Sequence, residues 1–372
     1  MGTLGICIAG LMMTLTSGPA APAYEARLPR TDKGLSCSLQ VDLSKPPPKF
    51  KKHPDFSWHD VFYGTLPAFP ELPFAWDMNE GKLYLDLNRN RDLTDDPAGT
   101  FIDSHPMRSY HYFSDVRSHS VRNSQTIEYR MNLSICIDLM NRFCRINLLS
   151  GWQGPIVLNG KRWILSVIDN LDGQIDARDR FFVSSGDQKP PYFYDQLMFP
   201  VPAHLFLDGR SYETRFTIAP ARTGTEMIVT LTEISSAMGK LIIEGQSIRH
   251  LFLQRPDSML AVVSAPTGPV ELPIGTYCNP RVFLENSRPQ ELIYAQAGMT
   301  LDVTKDGSPA LKIGGPLINS VEVDQKGNTL QMNYKLIGAG GETYSDSTRK
   351  YPPRFTIRNH GLTVNSGQFA FG

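Results

Sequence analysis

Residues 127–139 alternate without a break. Ile127, Tyr129, Met131, Leu133, Ile135, Ile137 and Leu139 fall on one side, and Glu128, Arg130, Asn132, Ser134, Cys136 and Asp138 on the other. A period of two is that of a strand with one buried face. The same period returns at Leu330, Met332, Tyr334 and Leu336, with Val321-Glu322-Val323 before it across the loop 324–328. Asn159-Gly160 separates Ile156-Val157-Leu158 from Trp163-Ile164-Leu165, and Asp208-Gly209 follows Leu205-Phe206-Leu207. Both dipeptides supply the positive φ that tight hairpins require. Phe355 with Ile357, then Phe369 with Phe371, predict two closing strands. No stretch carries a convincing 3.6-residue period.

This pattern predicts an all-β protein of two or more antiparallel β-sandwich (Ig-like) domains. Composition agrees: Gly 30 and Pro 28 in 372 residues supply many turns, and 41% hydrophobic residues suffice for ordinary cores. The expected layout is a signal peptide over 1–23 and a Pro/aromatic-rich lead-in over 24–75. A β domain over 76–236 and a C-terminal β-sandwich over 240–372 follow. The lead-in holds Pro46, Pro47, Pro48, Pro54, Pro67, Pro70 and Pro73, which favour extended chain. Its aromatic residues predict packing on the next domain, with a carbohydrate-stacking surface as the alternative.

The signal peptide rests on the apolar run 4–15 and on Ala21-Pro22-Ala23, although no Lys or Arg precedes the run. It predicts export to the periplasm, the cell surface or the medium. No other apolar stretch is long enough to span a bilayer as a helix, so no integral membrane protein is expected after signal cleavage. Lys plus Arg and Asp plus Glu are 37 each. That balance gives no global field to draw nucleic acid. Cleavage would remove Cys7 and leave Cys37, Cys136, Cys144 and Cys278, with no Cys-x-x-Cys pair among them. Strand parity sets Cys136 and Cys144 on opposite faces of their hairpin, which argues against a disulfide between them.

The chemistry that stands out is oxygen at alternate positions. In Asp86-Leu87-Asn88-Arg89-Asn90-Arg91-Asp92-Leu93-Thr94-Asp95-Asp96, a curled backbone would bring Asp86, Asn88 and Asn90 to one point. Asp92 could add a carbonyl or its carboxylate, and Asp95 or Asp96 could close the shell of a calcium ion, which wants six to eight oxygens. It is no full EF-hand loop: position 6 is Arg91 and position 12 is Pro97. The alternative is a polar turn held by side-chain hydrogen bonds, without a metal.

A second stretch follows the strand around Trp163–Val167. It runs Ile168-Asp169-Asn170-Leu171-Asp172-Gly173-Gln174-Ile175-Asp176-Ala177-Arg178-Asp179 and resembles a calcium loop of the dockerin type. Ile168 stands where the first Asp belongs, and Asp169 is one place out of register. Asp169, Asp172, Asp176 and Asp179 are its candidate ligands, with a β-turn laced by ion pairs as the alternative. Both stretches follow a Gly-Lys turn and a strand, which hints at a duplicated hairpin unit.

These loops, with Lys312-Ile313-Gly314-Gly315-Pro316-Leu317, Gly338-Ala339-Gly340-Gly341-Glu342 and Gly367-Gln368-Phe369-Ala370-Phe371-Gly372, resemble uncharacterised exported bacterial proteins. The resemblance implies β-sandwich domains and no established activity. Glu271-Leu272-Pro273-Ile274-Gly275-Thr276-Tyr277 resembles the Pro-x-Gly-x-Tyr turn of carboxypeptidase-regulatory-like β-sandwiches. No Gly-x-Ser-x-Gly elbow is present. His53, His59, His105, His111 and His119 share no strand face or His-x-x-x-His spacing that would favour a transition metal. The leading expectation is an exported, non-enzymatic binding or structural protein with a calcium-stabilised loop and a glycan or envelope-protein partner. The alternatives are a secreted glycan-active enzyme using an Asp/Glu pair and a surface assembly module.

Overall fold

The structure is a computed structural model that describes residues 21–32, 35, 37–41, 43, 49–56, 60–103, 109–137, 142–185, 198–285, 293–327, 329–346 and 352–369. Residues 1–20 of the expected signal segment, Pro46–Pro48, His59, His105, Asp138, Leu139 and Phe371 lie outside them. Among the described residues the one helical element is the 3-10 turn Pro97–Gly99, and the rest of the regular structure is strand. The all-β expectation therefore holds. No helix there is long and apolar enough to cross a membrane.

The strands form several sheets, mostly antiparallel. The longest run of paired strands starts at Phe199–Pro200 and passes through Gly151–Leu158, Ala23–Thr31 and Thr225–Ile234. It ends at Ile318–Lys326. Two pairings between named strands are parallel, His204–Leu207 with Met259–Ser264 and Met238–Glu244 with Ala310–Lys312. A four-stranded sheet joins Cys37–Val41, Arg142–Leu148, Gln125–Ile137 and Tyr110–Arg122, and another joins Val61–Leu66, Leu72–Asp77, Lys82–Leu85 and Thr100–Ile102.

Local chemistry accounts for the hairpins. Asn159 and Gly160 take φ of 52° and 76° between the register partners Leu158 and Lys161; Asp208 and Gly209 take 41° and 96° between Leu207 and Arg210. Positive φ at both central residues matches the right-handed twist of the flanking strands. In Gln125–Ile137 the alternate residues Ile127, Tyr129, Met131, Leu133 and Ile135 are all buried. Cys144 pairs in register with Ile135 and Cys136 with Phe143, so the two thiols face opposite ways.

Two apolar cores result. The first gathers side chains between Ala26 and Leu231, with Phe252, Leu260, Val262 and Phe283 reaching in from later strands. The second is built chiefly of residues 241–344, with Phe206 reaching back into it. In the segment 24–75, expected to be a lead-in of extended chain, Ala23–Thr31, Cys37–Val41, Val61–Leu66 and the start of Leu72–Asp77 are strands. Ala23–Thr31 pairs with both Thr225–Ile234 and Gly151–Leu158, and Cys37–Val41 pairs with Arg142–Leu148. Phe74 and Trp76 are fully buried in the first core, so they offer no stacking surface.

The Pro-x-Gly-x-Tyr turn has a clear local cause. Gly275 takes φ 147°, and the buried Tyr277 hydroxyl donates back to the Pro273 carbonyl at 2.6 Å. The strand expected at Leu330–Leu336 is present and pairs with Ile318–Lys326, but its apolar face is only partly covered, with Met332, Tyr334 and Leu336 half-buried. Val321, Val323 and Leu330 are 44%, 55% and 47% exposed. Arg354–Asn359 and Leu362–Gln368 form a hairpin that pairs only with itself among the described strands.

Candidate metal loops

Asp86 is the first residue after the strand Lys82–Leu85 and is fully buried. Its Oδ1 accepts the Asn90 N–H at 3.1 Å and its Oδ2 accepts the Arg91 N–H at 2.9 Å. One carboxylate thus curls the following chain around itself. Arg89 and Arg91 take positive φ, 61° and 68°, to allow the curl. Asn88 Oδ1 accepts the Asn90 N–H at 3.0 Å and Asn90 Oδ1 the Asp92 N–H at 2.6 Å, the local bonds that Asn favours in turns. The loop is anchored outside itself: Lys51 N–H donates to the Arg91 carbonyl, Leu93 N–H donates to the Lys52 carbonyl, and Leu93 is buried.

The curl brings Asp86, Asn88, Asn90, Asp95 and Asp96 together. Asn88 Nδ2 donates to Asp95 Oδ1 at 3.1 Å and Asn90 Nδ2 to Asp95 Oδ2 at 2.6 Å. Burial pushes the Asp96 carboxyl above its ordinary range, and the neighbouring Asp86 and Asp95 push it the same way, against the backbone amides of Asn88 and Leu87. Asp96 Oδ2 is buried with no hydrogen-bond partner. Asp92 stands apart. Its carboxylate accepts from the Thr94 N–H and hydroxyl at 2.8 and 2.6 Å, lies near Lys51 and Lys52, and is held below the usual range by those bonds. Only its carbonyl is left for a shell centred on Asp86.

No group of three or more His, Cys, Asp or Glu side chains stands ready to hold a metal among the described residues. The Asp86 loop reaches a donor set only with its amides. The two Asn side chains now turn NH2 groups toward Asp95. Half a rotation of each would present oxygens instead, at the loss of the bonds that those oxygens now accept from the Asn90 and Asp92 N–H groups. Asp86 and Asp96 beneath, Asp95 and two amide oxygens above, and the Asp92 carbonyl are hard donors of the kind calcium takes.

The second loop repeats this backbone. With Ile168 counted as position 1, Leu171 and Gly173 take φ of 84° and 72° at positions 4 and 6, the places of Arg89 and Arg91. Asn170 and Asp172 accept the N–H two residues on, at 3.1 and 2.8 Å, as Asn88 and Asn90 do. The missing first Asp is replaced from next door. Asp169 Oδ1 accepts the Gly173 N–H at 3.3 Å, the amide that Asp86 binds in the first loop. Asp179 closes the loop by accepting the Asn170 and Asp176 N–H groups at 2.8 and 2.6 Å.

The charges differ, however. Asp169 and Asp179 are buried; burial, with Asp172 adding to it, pushes Asp169 up to about 6, and burial with the charges of Asp169 and Asp172 pushes Asp179 up to about 8. Asp169 Oδ2 accepts the Tyr129 hydroxyl at 2.6 Å. Asp172 and Asp176 are claimed by Arg178, whose NH2 lies 2.8 Å from Asp172 Oδ2 and 2.6 Å from Asp176 Oδ2. A tethered guanidinium thus lies between two of the candidate ligands. Sequence reasoning missed this role, although Arg178 stands between Asp176 and Asp179 and was there to be weighed.

Both loops follow a hairpin, Leu72–Asp77 with Lys82–Leu85 and Gly151–Leu158 with Lys161–Ile168, whose turns hold Gly81 and Gly160 at positive φ. The shared positions of the positive-φ residues and of the side-chain bonds to backbone amides support a duplicated unit, whereas the closing carboxylates stand at different places, Asp95 and Asp96 at positions 10 and 11 and Asp179 at position 12. His111 and His119, expected not to share a metal, have separate surroundings: His111 packs against Trp76 and Phe113, and His119 meets Arg89. No protein-family model, no curated protein and no solved structure matches this chain.

Proposed function

We propose that this chain is an exported, non-enzymatic binding or structural protein of the cell envelope or extracellular space. It would consist of antiparallel β-sandwich domains of immunoglobulin-like type, with calcium ordering the Asp86–Asp96 loop. The observation that carries this reading is the buried, unpartnered Asp96 Oδ2 beside the carboxylates of Asp86 and Asp95. A carboxylate oxygen buried without a hydrogen-bond partner is costly. A divalent cation at that point would offset the cost and engage Asn88 and Asn90 as well.

Extracellular modules bind calcium at roughly 10⁻⁴–10⁻³ M. At tenfold excess over Kd, binding adds about 1.4 kcal/mol to stability. In a cooperative unit of about 200 residues that raises the unfolding midpoint by roughly 3–6 °C. Thermal unfolding with calcium, with magnesium and with chelator tests it. The expected result is a calcium-specific rise that disappears in Asp96→Asn. Equal midpoints with calcium and with chelator would remove calcium from the reading.

A further inference from the structure

The strands Tyr110–Arg122 and Gln125–Ile137 form a ribbon whose outer face is one wall of a cleft of about 840 Å³. The opposite wall is the end of Ala23–Thr31 with Asp32 and the turn at Thr223–Thr225; Leu87 of the first loop also contributes to the lining. The lining is polar and rich in guanidinium. Arg117 and Arg130 are register partners on the ribbon and share one carboxylate, Asp115, which a β-bulge brings beside them. Like charges set opposite each other cost stability unless something answers them.

Arg30 is held more rigidly. Its guanidinium lies 4.5 Å from the Trp152 ring centre and 5.2 Å from that of Tyr129. Its NH2 donates to Ser150 Oγ at 3.0 Å and to the Glu128 carbonyl. Its NH1 is buried and has no acceptor among the described residues. Ser118 and Thr225, which also line the cleft, each have a buried hydroxyl without a partner.

These features select a ligand class. Leu87 is the one aliphatic residue in the lining, Tyr129 is only 2% exposed and His119 offers the one partly exposed ring, so charged and polar side chains make up most of what a ligand meets. Guanidinium groups favour planar or tetrahedral oxyanions. Glu128, Asp32 and the threonine hydroxyls supply acceptors for sugar hydroxyl groups. We propose that this cleft binds an oxyanion-bearing saccharide, with its carboxylate or sulfate on Arg117 and Arg130 and its hydroxyls toward Glu128. The proposal rests on the binding-protein reading and not on calcium.

The test is calorimetric titration of the full chain with a galacturonate oligomer, a sulfated galactose oligomer and a neutral galactose oligomer of equal length, each with calcium and with chelator. At least one acidic oligomer should bind tenfold or more tightly than the neutral one, and the pair shows whether carboxylate or sulfate is the anion. Arg117→Gln with Arg130→Gln should weaken it at least tenfold. Arg117 is 75% exposed and its ion pair with Asp115 lies at the surface, as does that of Arg130, so folding is spared there, unlike at Arg30. No binding of either acidic oligomer, equal binding of the neutral one, or unchanged affinity in the double variant overturns the proposal. An unchanged unfolding midpoint with calcium would leave it standing while removing the calcium loop.

Discussion

Replacing Asp169 by Asn should stabilise the protein at neutral pH and do nothing at pH 4. Asp169 is 1% exposed, and burial is the largest cause of its rise from 3.8 to about 6, with Asp172 adding to it; the Tyr129 hydroxyl, the Gly173 amide and Arg30 pull the other way. A carboxyl that holds its proton more tightly when folded favours the folded state at low pH. That advantage is lost as pH climbs from about 4 to about 6. At 1.36 kcal/mol per pKa unit, the charged form costs roughly 3 kcal/mol above that window. The amide of Asn can accept the Gly173 N–H and donate to the Tyr129 oxygen, so the hydrogen bonds survive. His250 works in the opposite sense: burial pushes it down to about 4, so its contribution rises between about pH 4 and 6.5. Asp179, pushed up to about 8 in part by Asp169, adds a third trend, so the difference between wild type and variant reports Asp169 together with the relief it gives Asp179. Urea unfolding in chelator at pH 4.5 and 7.5 measures it. The expected difference grows to about 3 kcal/mol in favour of the variant at pH 7.5. A variant less stable at pH 7.5, or a difference independent of pH, would refute the reasoning.

Two further changes probe the same physics. Arg178→Gln leaves Asp172 and Asp176 without their cation, so the thermal midpoint should fall at neutral pH and low salt, and should recover as pH drops below the carboxylate range, where Asp176 is protonated. An unchanged midpoint in low salt would show that the guanidinium adds nothing. Glu342→Ala removes a buried carboxylate that accepts from the Gly314 N–H at 2.7 Å, the Gly340 N–H at 2.9 Å and the Tyr344 hydroxyl at 2.7 Å. The loss should be about 3 kcal/mol or more by denaturant unfolding, because three donors are stranded together.

What the sequence revealed followed from whether a single segment carried the signal. Ile127 to Ile135 alternate because one face of one strand meets the core, and that is visible locally. Val321 to Leu336 alternate equally well, yet the face they form is partly open. Periodicity identifies the apolar side of a strand, not whether anything covers it. The strand Ala23–Thr31 was hidden because its short pattern gains meaning only beside residues 226–232. In the first loop, oxygens at every second residue gave the curl away. In the second, Ile168 at the leading position concealed that Asp169 reaches the same amide. The cleft was illegible because Arg30, Leu87, Arg117 and Thr225 come from segments far apart in the chain.

The strand Ala23–Thr31 lies between Thr225–Ile234 and Gly151–Leu158, so the earliest-made of the described strands is the centrepiece of a sheet whose flanks arrive much later. Ala23 meets Thr232 only after roughly two hundred further residues exist, the kind of distant pairing that folds slowly. A ribosome still adding the middle of the chain holds a polypeptide that has no way to complete this sheet. Such a delay exposes the nascent chain to holdases and proteases until the last flank is released.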